Sequence, residues 1–129
     1  MPLQVELVSP ERTLFSGEAD MVITRIDGGG DIAFMTGHAP FIGALGVGKL
    51  RIRQPGGGEQ VAAVHGGFVQ VSGNRVIILS DTAELADQID AERARRAAER
   101  LQRGGHDLEE ATAAAALARA RTRLDVVGA

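Results

Sequence analysis

The stretch RVIILSDTAELADQIDAERARRAAERLQ, residues 75–102, contains the change in composition that decides the fold. On its N-terminal side, valine, isoleucine and phenylalanine alternate with polar residues and are interrupted by glycines, which is typical of short strands. Beyond about Glu84, alanine, arginine and glutamate dominate, as they do in helices. We therefore expect two structural units, a β domain over residues 1–84 and a helical domain over residues 85–129.

The N-terminal unit contains six short runs that alternate in period two or are rich in β-branched residues. Glycine-rich or asparagine-containing segments such as DGGGD, QPGGGEQ and VSGNR lie between them and suit tight turns. Two apolar strand faces must cover each other, so many short strands predict a β-sandwich or flattened barrel. The predicted strands are residues 3–8, 21–26, 49–54, 60–64, 68–71 and 75–79.

The first helix is predicted from DQIDAERARRAAERLQ, residues 87–102. Either Asp87 or Asp90 is available as its N-cap. Its apolar face is expected to comprise Ala94, Ala97, Ala98 and Leu101.

The second helix is predicted from EATAAAALARARTRLDVV, residues 110–127, after a break at RGGH. Asp107 followed by Glu110 resembles a capping box, and the expected apolar stripe is Leu108, Ala111, Ala115 and Ala118. With so short a connection, the two helices should form an antiparallel hairpin, which makes the whole chain an α+β fold.

The alanine-rich helix should form readily but dock weakly. Alanine has the highest helix propensity, yet each buried methyl contributes only about 0.8 kcal/mol. Such a helix can move as a regulatory element. The alternative is an ordinary alanine-packed hairpin that never leaves its place.

Composition excludes several classes of function. The net charge of −3 gives no reason to expect a polyanion partner, and the chain has no cysteine for disulfide or thiolate chemistry. The N-terminus lacks a signal-peptide pattern and no run of about 20 apolar residues is present, so we expect a soluble chain. The arginines of residues 93–103 are interleaved with Glu92 and Glu99 and have no aromatic platform for bases, which argues against nucleic acid.

Catalytic motifs are incomplete. GALGVGKL, residues 43–50, nearly matches a phosphate loop, but Leu50 stands where a hydroxyl is required and the segment should be a turn entering a strand. HGGF at His65 lacks a nucleophile motif to accompany it. His38, His65 and His106 do not have metal-ligand spacing. We expect no catalytic residue and no metal site.

Five segments occur in an order and spacing that resemble one known family: VSPERTLFSGEAD, TGHAPF, GGFVQV, VIILSDTAE and IDAERA. Together they resemble the epsilon subunit of bacterial and chloroplast F-type ATP synthases over nearly the whole chain. Members of that family have a β-sandwich followed by a helical hairpin. The resemblance implies the same architecture here.

The resemblance also implies a role as a non-catalytic rotor subunit of the central stalk. The sandwich would contact the gamma subunit and the polar loops of the c ring. The hairpin would fold on the sandwich or extend towards the beta and alpha subunits, where it inhibits hydrolysis. The implied location is the cytoplasmic face of the bacterial plasma membrane, with the membrane reached only through the complex. The alternative is a free nucleotide-sensing or adaptor protein, which would not expose an apolar sandwich face.

No cofactor is required in such a subunit, but ATP is expected as a regulatory ligand. By resemblance to ATP-binding relatives, IDAERA supplies Ile89, Asp90 and Arg93. The further matching positions are Glu84, Arg100, Arg119 and Arg123. The arginines would bind the triphosphate and the two carboxylates the adenine amine or ribose. The alternative is that Asp90 is a helix cap and the arginines are solvated charges.

Three further residues are expected at protein interfaces. By resemblance, residues 30–40 form a loop facing the c ring, with Asp31 meeting a cationic residue there and His38 in the same loop. Arg121, with Arg119 and Arg123, would meet acidic residues of the beta subunits. The alternatives are a solvated turn aspartate and arginines that only solubilise the helix.

Overall fold

The computed structural model describes residues 2–105 and 107–128 and contains a strand-rich domain followed by two helices. His106, named above among the histidines, lies outside the described residues. A 3₁₀ turn, Ala86–Gln88, joins the two parts. The elements are β1 Leu3–Val8, β2 Thr13–Ala19, β3 Met21–Ile26, β4 Gly29–Met35, β5 Phe41–Arg53, β6 Glu59–Ser72, β7 Arg75–Ser80, β8 Ala83–Leu85, α1 Ala91–Arg103 and α2 Glu110–Val127.

The strands form one continuous hydrogen-bonded network that folds over a shared core. Their order is β2-β1-β7-β6-β5-β3-β4, with β8 paired to β6. Among these pairs β1 and β7 run parallel and the others antiparallel. The predicted α+β class, a β-sandwich followed by a helical hairpin, is confirmed.

The core fills with aliphatic side chains and Phe34. On β5 the buried positions include Leu45, then Leu50 and Ile52, so the side that faces the core changes from odd to even residues. On β6 the core-facing side changes in the opposite sense, from even to odd residues, around Gly66 and Gly67, which have φ of 85° and 117°. A Cβ on Gly67 would lie 2.0 Å from the Leu79 carbonyl oxygen. Glycine is therefore required at Gly67, where β6 changes the side that faces the core.

The six predicted runs lie in five strands, because residues 60–64 and 68–71 are both part of β6, and the run 49–54 passes the end of β5 by one residue. The prediction was also incomplete. It missed β2, β4 and β8, because serine and glycine interrupt β2, glycines begin β4, and β8 has only three residues. The expected turn at residues 43–48 is wrong, because β5 runs through it and pairs with β6. The expected loop over residues 30–40 is wrong as far as Met35, because those residues form β4 against β3.

The first helix forms as predicted. Asp90 is its N-cap, and the carboxylate accepts the Arg93 backbone N–H at 3.0 Å. The expected apolar face is confirmed, because Ala94 and Ala98 are buried and Ala97 and Leu101 half-buried.

The second helix exists as predicted, but its start and its buried face differ. Its N-cap is Glu109, without a side-chain cap bond, so the capping box at Asp107 is wrong. The expected stripe is also wrong, because its four members are exposed and Ala120 and Val126 are buried instead. Seven of the 18 residues of α2 are alanine, and four of them are consecutive, so alanine occurs on every side of the helix and local sequence does not select the face. Contacts with α1, β5 and β6 select it.

Candidate functional site

A cleft of about 380 Å³ lies where α1, α2 and the segment before α1 meet. Its charged lining is contributed by two carboxylates and four guanidinium groups, from Glu84, Asp90, Arg93, Arg100, Arg119 and Arg123. The structure thus brings together six of the seven residues expected at a nucleotide site. Ile89 directly precedes Asp90 and is half-buried, but it does not line the cleft.

Helical spacing places the four arginines on the cleft. Arg93 and Arg100 are seven residues apart on α1, and Arg119 and Arg123 are four apart on α2, so each pair shares one helix face. The space between the helices remains open because small side chains line it, namely Ala94, Ala97, Ala116 and Ala120. Alanine therefore leaves room for a ligand as well as favouring the helix.

Glu84 is the best-connected charged residue of the cleft. Its Oε1 accepts a hydrogen bond from Nε of Arg123 at 2.6 Å, and both side chains are more than two-thirds buried. The pair joins β8 to α2. Such a charge-assisted bond is stronger than one between neutral groups.

His65 is the polar residue of this region that the sequence did not single out for a role. It lies on β6 with a side chain only 4% exposed, and its Nε2 is 3.4 Å from the same Glu84 oxygen. The pKa of His65 lies below its ordinary value, chiefly because burial penalises the imidazolium and also because Arg123 repels it. The Glu84 carboxylate opposes this shift but does not reverse it. The sequence signal that could have marked His65 is a histidine directly before two glycines, on the side of a strand that faces away from the core.

The three residues expected at interfaces lie in separate places. Asp31 is on β4, half exposed, and its Oδ1 accepts from Nε of Arg25 at 2.8 Å. His38 is half-buried, with its ring edge-on to Phe34 at a centroid distance of 4.9 Å. Arg121 is exposed on α2 and does not line the cleft.

An exposed apolar patch covers part of the sandwich. It consists of Ile42, Phe68 and Leu79, which are 72%, 57% and 50% exposed. Phe68 and Leu79 are direct partners across β6 and β7, and Ile42 lies on the adjacent β5. Large apolar side chains grouped on one face mark a surface that a partner covers.

Two absences hold for the part of the chain that the structure describes. Within residues 2–105 and 107–128, neither helix has the length and apolarity needed to cross a bilayer. In the same ranges, histidine, aspartate and glutamate side chains form no group of three suited to a metal ion.

Comparison with known proteins identifies the family. Residues 2–86 match the model of the ATP synthase delta/epsilon chain β-sandwich domain, and residues 87–128 match that of its long α-helix domain. The chain belongs to the ATP synthase epsilon-chain family. The epsilon chain of Thermobifida fusca is 47% identical over 95% of this chain and 89% of its own length. That of Streptomyces griseus subsp. griseus is 48% identical over 75% of this chain and 77% of its own.

Solved structures share the fold of this family member. A chain of the Euglena gracilis mitochondrial ATP synthase has a TM-score of 0.73 at 19% identity, covering 98% of this chain and 78% of that chain. A chain of the Tetrahymena thermophila central stalk and c-ring structure has a TM-score of 0.65 at 16% identity, covering 98% and 97%. Members of this family are non-catalytic stalk subunits of the ATP synthase, so this chain is not itself an enzyme.

Proposed function

We propose that the chain couples the gamma subunit to the c ring in the central stalk of a proton-translocating F-type ATP synthase. It would lie on the cytoplasmic face of the bacterial plasma membrane, as a peripheral protein held there only through the complex. Support comes from the family, and from the solved neighbours, which are chains of a central stalk and c-ring structure and of an F1 and c-ring structure.

The exposed apolar patch favours this role over a free nucleotide-sensing or adaptor protein. A rotor subunit needs an apolar sandwich face for its partner, whereas a free protein would keep such a face covered. Phe68→Glu should therefore abolish co-purification with the gamma subunit. Leu108→Glu is the control, because Leu108 is also an exposed large apolar residue but lies outside the patch. Undiminished gamma binding by Phe68→Glu would refute the assignment of this face.

ATP is the proposed regulatory ligand, and the observation that carries this proposal is the composition of the cleft. Four guanidinium groups face two carboxylates, which leaves an excess of two positive charges for a triphosphate. Arg93 and Arg100 on one side and Arg119 and Arg123 on the other would bind phosphate oxygens in bidentate fashion. Glu84 and Asp90 would accept hydrogen bonds from the adenine amine or the ribose, which Asp90 would share with its cap role.

Ligand binding would regulate hydrolysis through the position of the hairpin. ATP bound only to the folded hairpin stabilises that state by RT ln(1 + [ATP]/Kd). Without ATP, the hairpin would extend along gamma and place Arg119, Arg121 and Arg123 near acidic residues of the beta and alpha subunits. Hydrolysis would then be inhibited when ATP is scarce.

Calorimetry on the intact chain tests ATP binding directly. We expect a binding heat at millimolar ATP that the double change Arg93→Ala and Arg123→Ala removes. Arg96→Ala is the matched control, because Arg96 is exposed on α1 and does not line the cleft. No binding heat in the unaltered chain, or an equal heat in the double variant, would leave the hairpin without a nucleotide sensor.

A further inference from the structure

A buried histidine connects the sandwich to the cleft, and nucleotide binding as proposed above makes no use of it. His65 belongs to β6, Glu84 to β8, and Arg123 to α2, so the three side chains join three elements at one carboxylate oxygen. The β8 strand pairs directly with β6, with Ala63 opposite Glu84. We call His65, Glu84 and Arg123 the docking triad.

The protonation of His65 follows from its neighbours. A carboxylate only accepts hydrogen bonds, so the proton of the neutral ring lies on Nε2, which faces Glu84. Nδ1 is then an unprotonated nitrogen, buried and without a hydrogen-bond partner among the described residues. Burial of such an atom is unfavourable, and an apolar side chain at this position would avoid the penalty. The compensating interaction is the bond to Glu84.

We infer that His65 is a positioning residue that holds the Glu84 carboxylate against Arg123 and so raises the fraction of hairpins docked on the sandwich, with or without nucleotide. The inference rests on the hairpin mobility proposed above. The fully buried residues of α2 are Ala120 and Val126, and Leu117, Leu124 and Val127 are half-buried. A fixed carboxylate therefore adds a polar link to a limited apolar contact.

The docking triad responds to pH in a defined direction. His65 faces Glu84 from β8 and both Arg119 and Arg123 from α2, whereas β5 places the uncharged Val47 opposite it. Protonation of Nδ1 would make the buried His65 ring a cation beside two guanidinium groups. The pKa of His65 is accordingly lowered from 6.5 in the docked state, by burial first and by the arginines next. In the released state, exposure to water and separation from the arginines of α2 restore the ordinary pKa of His65. Below about pH 6.5 the released state therefore binds more protons than the docked state, so acidification favours release.

The test measures the docked and released hairpins with two spin labels. The chain has no cysteine, so Ser72→Cys on β6 and Ala118→Cys on α2 can be labelled uniquely at exposed positions. Interlabel distances are measured without nucleotide at about pH 7.5 and 5.5. The urea concentration is the lowest that releases a measurable minority of hairpins in the unaltered chain.

Three variants separate positioning from simple packing. In the unaltered chain the ratio of docked to released hairpins should fall on acidification. His65→Leu should lower the ratio at pH 7.5 by about tenfold, as expected for one hydrogen bond to a charged group, and remove the pH response. His65→Gln keeps a donor, so docking should persist at both pH values. Glu59→Gln is the control, because Glu59 forms an ion pair of similar exposure with Arg51 within the sandwich.

Each outcome decides the inference. The inference is wrong if the hairpin of His65→Leu docks as it does in the unaltered chain. It is also wrong if docking of that variant still responds to pH as in the unaltered chain. If circular dichroism shows that His65→Leu does not fold, Glu84→Gln replaces it and should lower the ratio similarly, and equal docking overturns the inference. A hairpin that no condition releases in any variant contradicts the proposed mobility itself. Release that occurs equally with and without His65 contradicts only the inference.

Discussion

The sandwich and the hairpin bury very different side chains. The sandwich core is filled by large residues such as Phe34, Leu7 and Ile78, whereas the buried positions of the two helices are three alanines and Val126. At about 0.8 kcal/mol for each buried methylene, this difference separates a rigid platform from a weakly docked element. The hairpin depends correspondingly more on polar links to the sandwich, such as Glu84 with Arg123 and Lys49 with Asp125. Charged links of this kind respond to pH and to competing charged groups, whereas an aliphatic core does not.

The largest expected effect is in the sandwich core. Phe34→Ala removes a fully buried ring and should cost about 3–5 kcal/mol of unfolding free energy. Ala98→Gly at a buried position of α1 should cost only about 1 kcal/mol, from helix propensity. Urea denaturation followed by circular dichroism gives both values. Equal costs would contradict the contrast between the two regions.

Removal of the hairpin should separate the two regions functionally. A chain ending at Asp87 retains β1 to β8, so it should still fold and assemble. Its complex should hydrolyse ATP at least about fivefold faster at low nucleotide, the lower end of typical coupling between sites. ATPase assays of complexes with the full and the shortened chain measure this. Equal rates would remove the inhibitory role of the hairpin.

A change at the N-cap of α1 tests how much local structure contributes to the stability of the hairpin. Asp90→Ala removes the bond to the Arg93 backbone N–H and should destabilise the hairpin by about 1 kcal/mol. Asp87→Ala is the matched control, because Asp87 is an exposed residue of the preceding 3₁₀ turn and does not cap α1. Helical ellipticity against temperature distinguishes the two variants. Similar losses in both would argue against a specific cap effect.

The smallest effect on stability should come from the exposed ion pair of β3 and β4. Asp31→Arg breaks the bond to Arg25, but exposed pairs contribute under about 1 kcal/mol, so the sandwich should remain folded. If Asp31 faces the c ring, proton-coupled ATP synthesis should nevertheless fall. Glu59→Arg on β6 provides the control for charge reversal on the sandwich. If Asp31→Arg leaves ATP synthesis unchanged, the role of Asp31 is limited to its ion pair with Arg25 on β3.

The sequence by itself determined the features that depend on local spacing. Alternation and β-branched runs located five strands, two candidate caps and the alanine face defined α1, and helical intervals placed Arg93, Arg100, Arg119 and Arg123 on the two helices. Each of these patterns requires only residues within one or two turns of one another. The resemblance, rather than spacing, indicated the seven residues of the proposed nucleotide site, and the folded chain gathers six of them into one cleft.

Only the tertiary structure decided the features that depend on distant partners. The continuation of β5 through its glycines follows from pairing with β6, and the buried face of α2 follows from the elements packed against it. The contact of His65 and Glu84 joins residues 19 positions apart, and that of Glu84 and Arg123 joins residues 39 apart. Sequence periodicity is a local signal. It cannot specify which of many similar alanine faces, or which of many charges, will meet once the chain has folded.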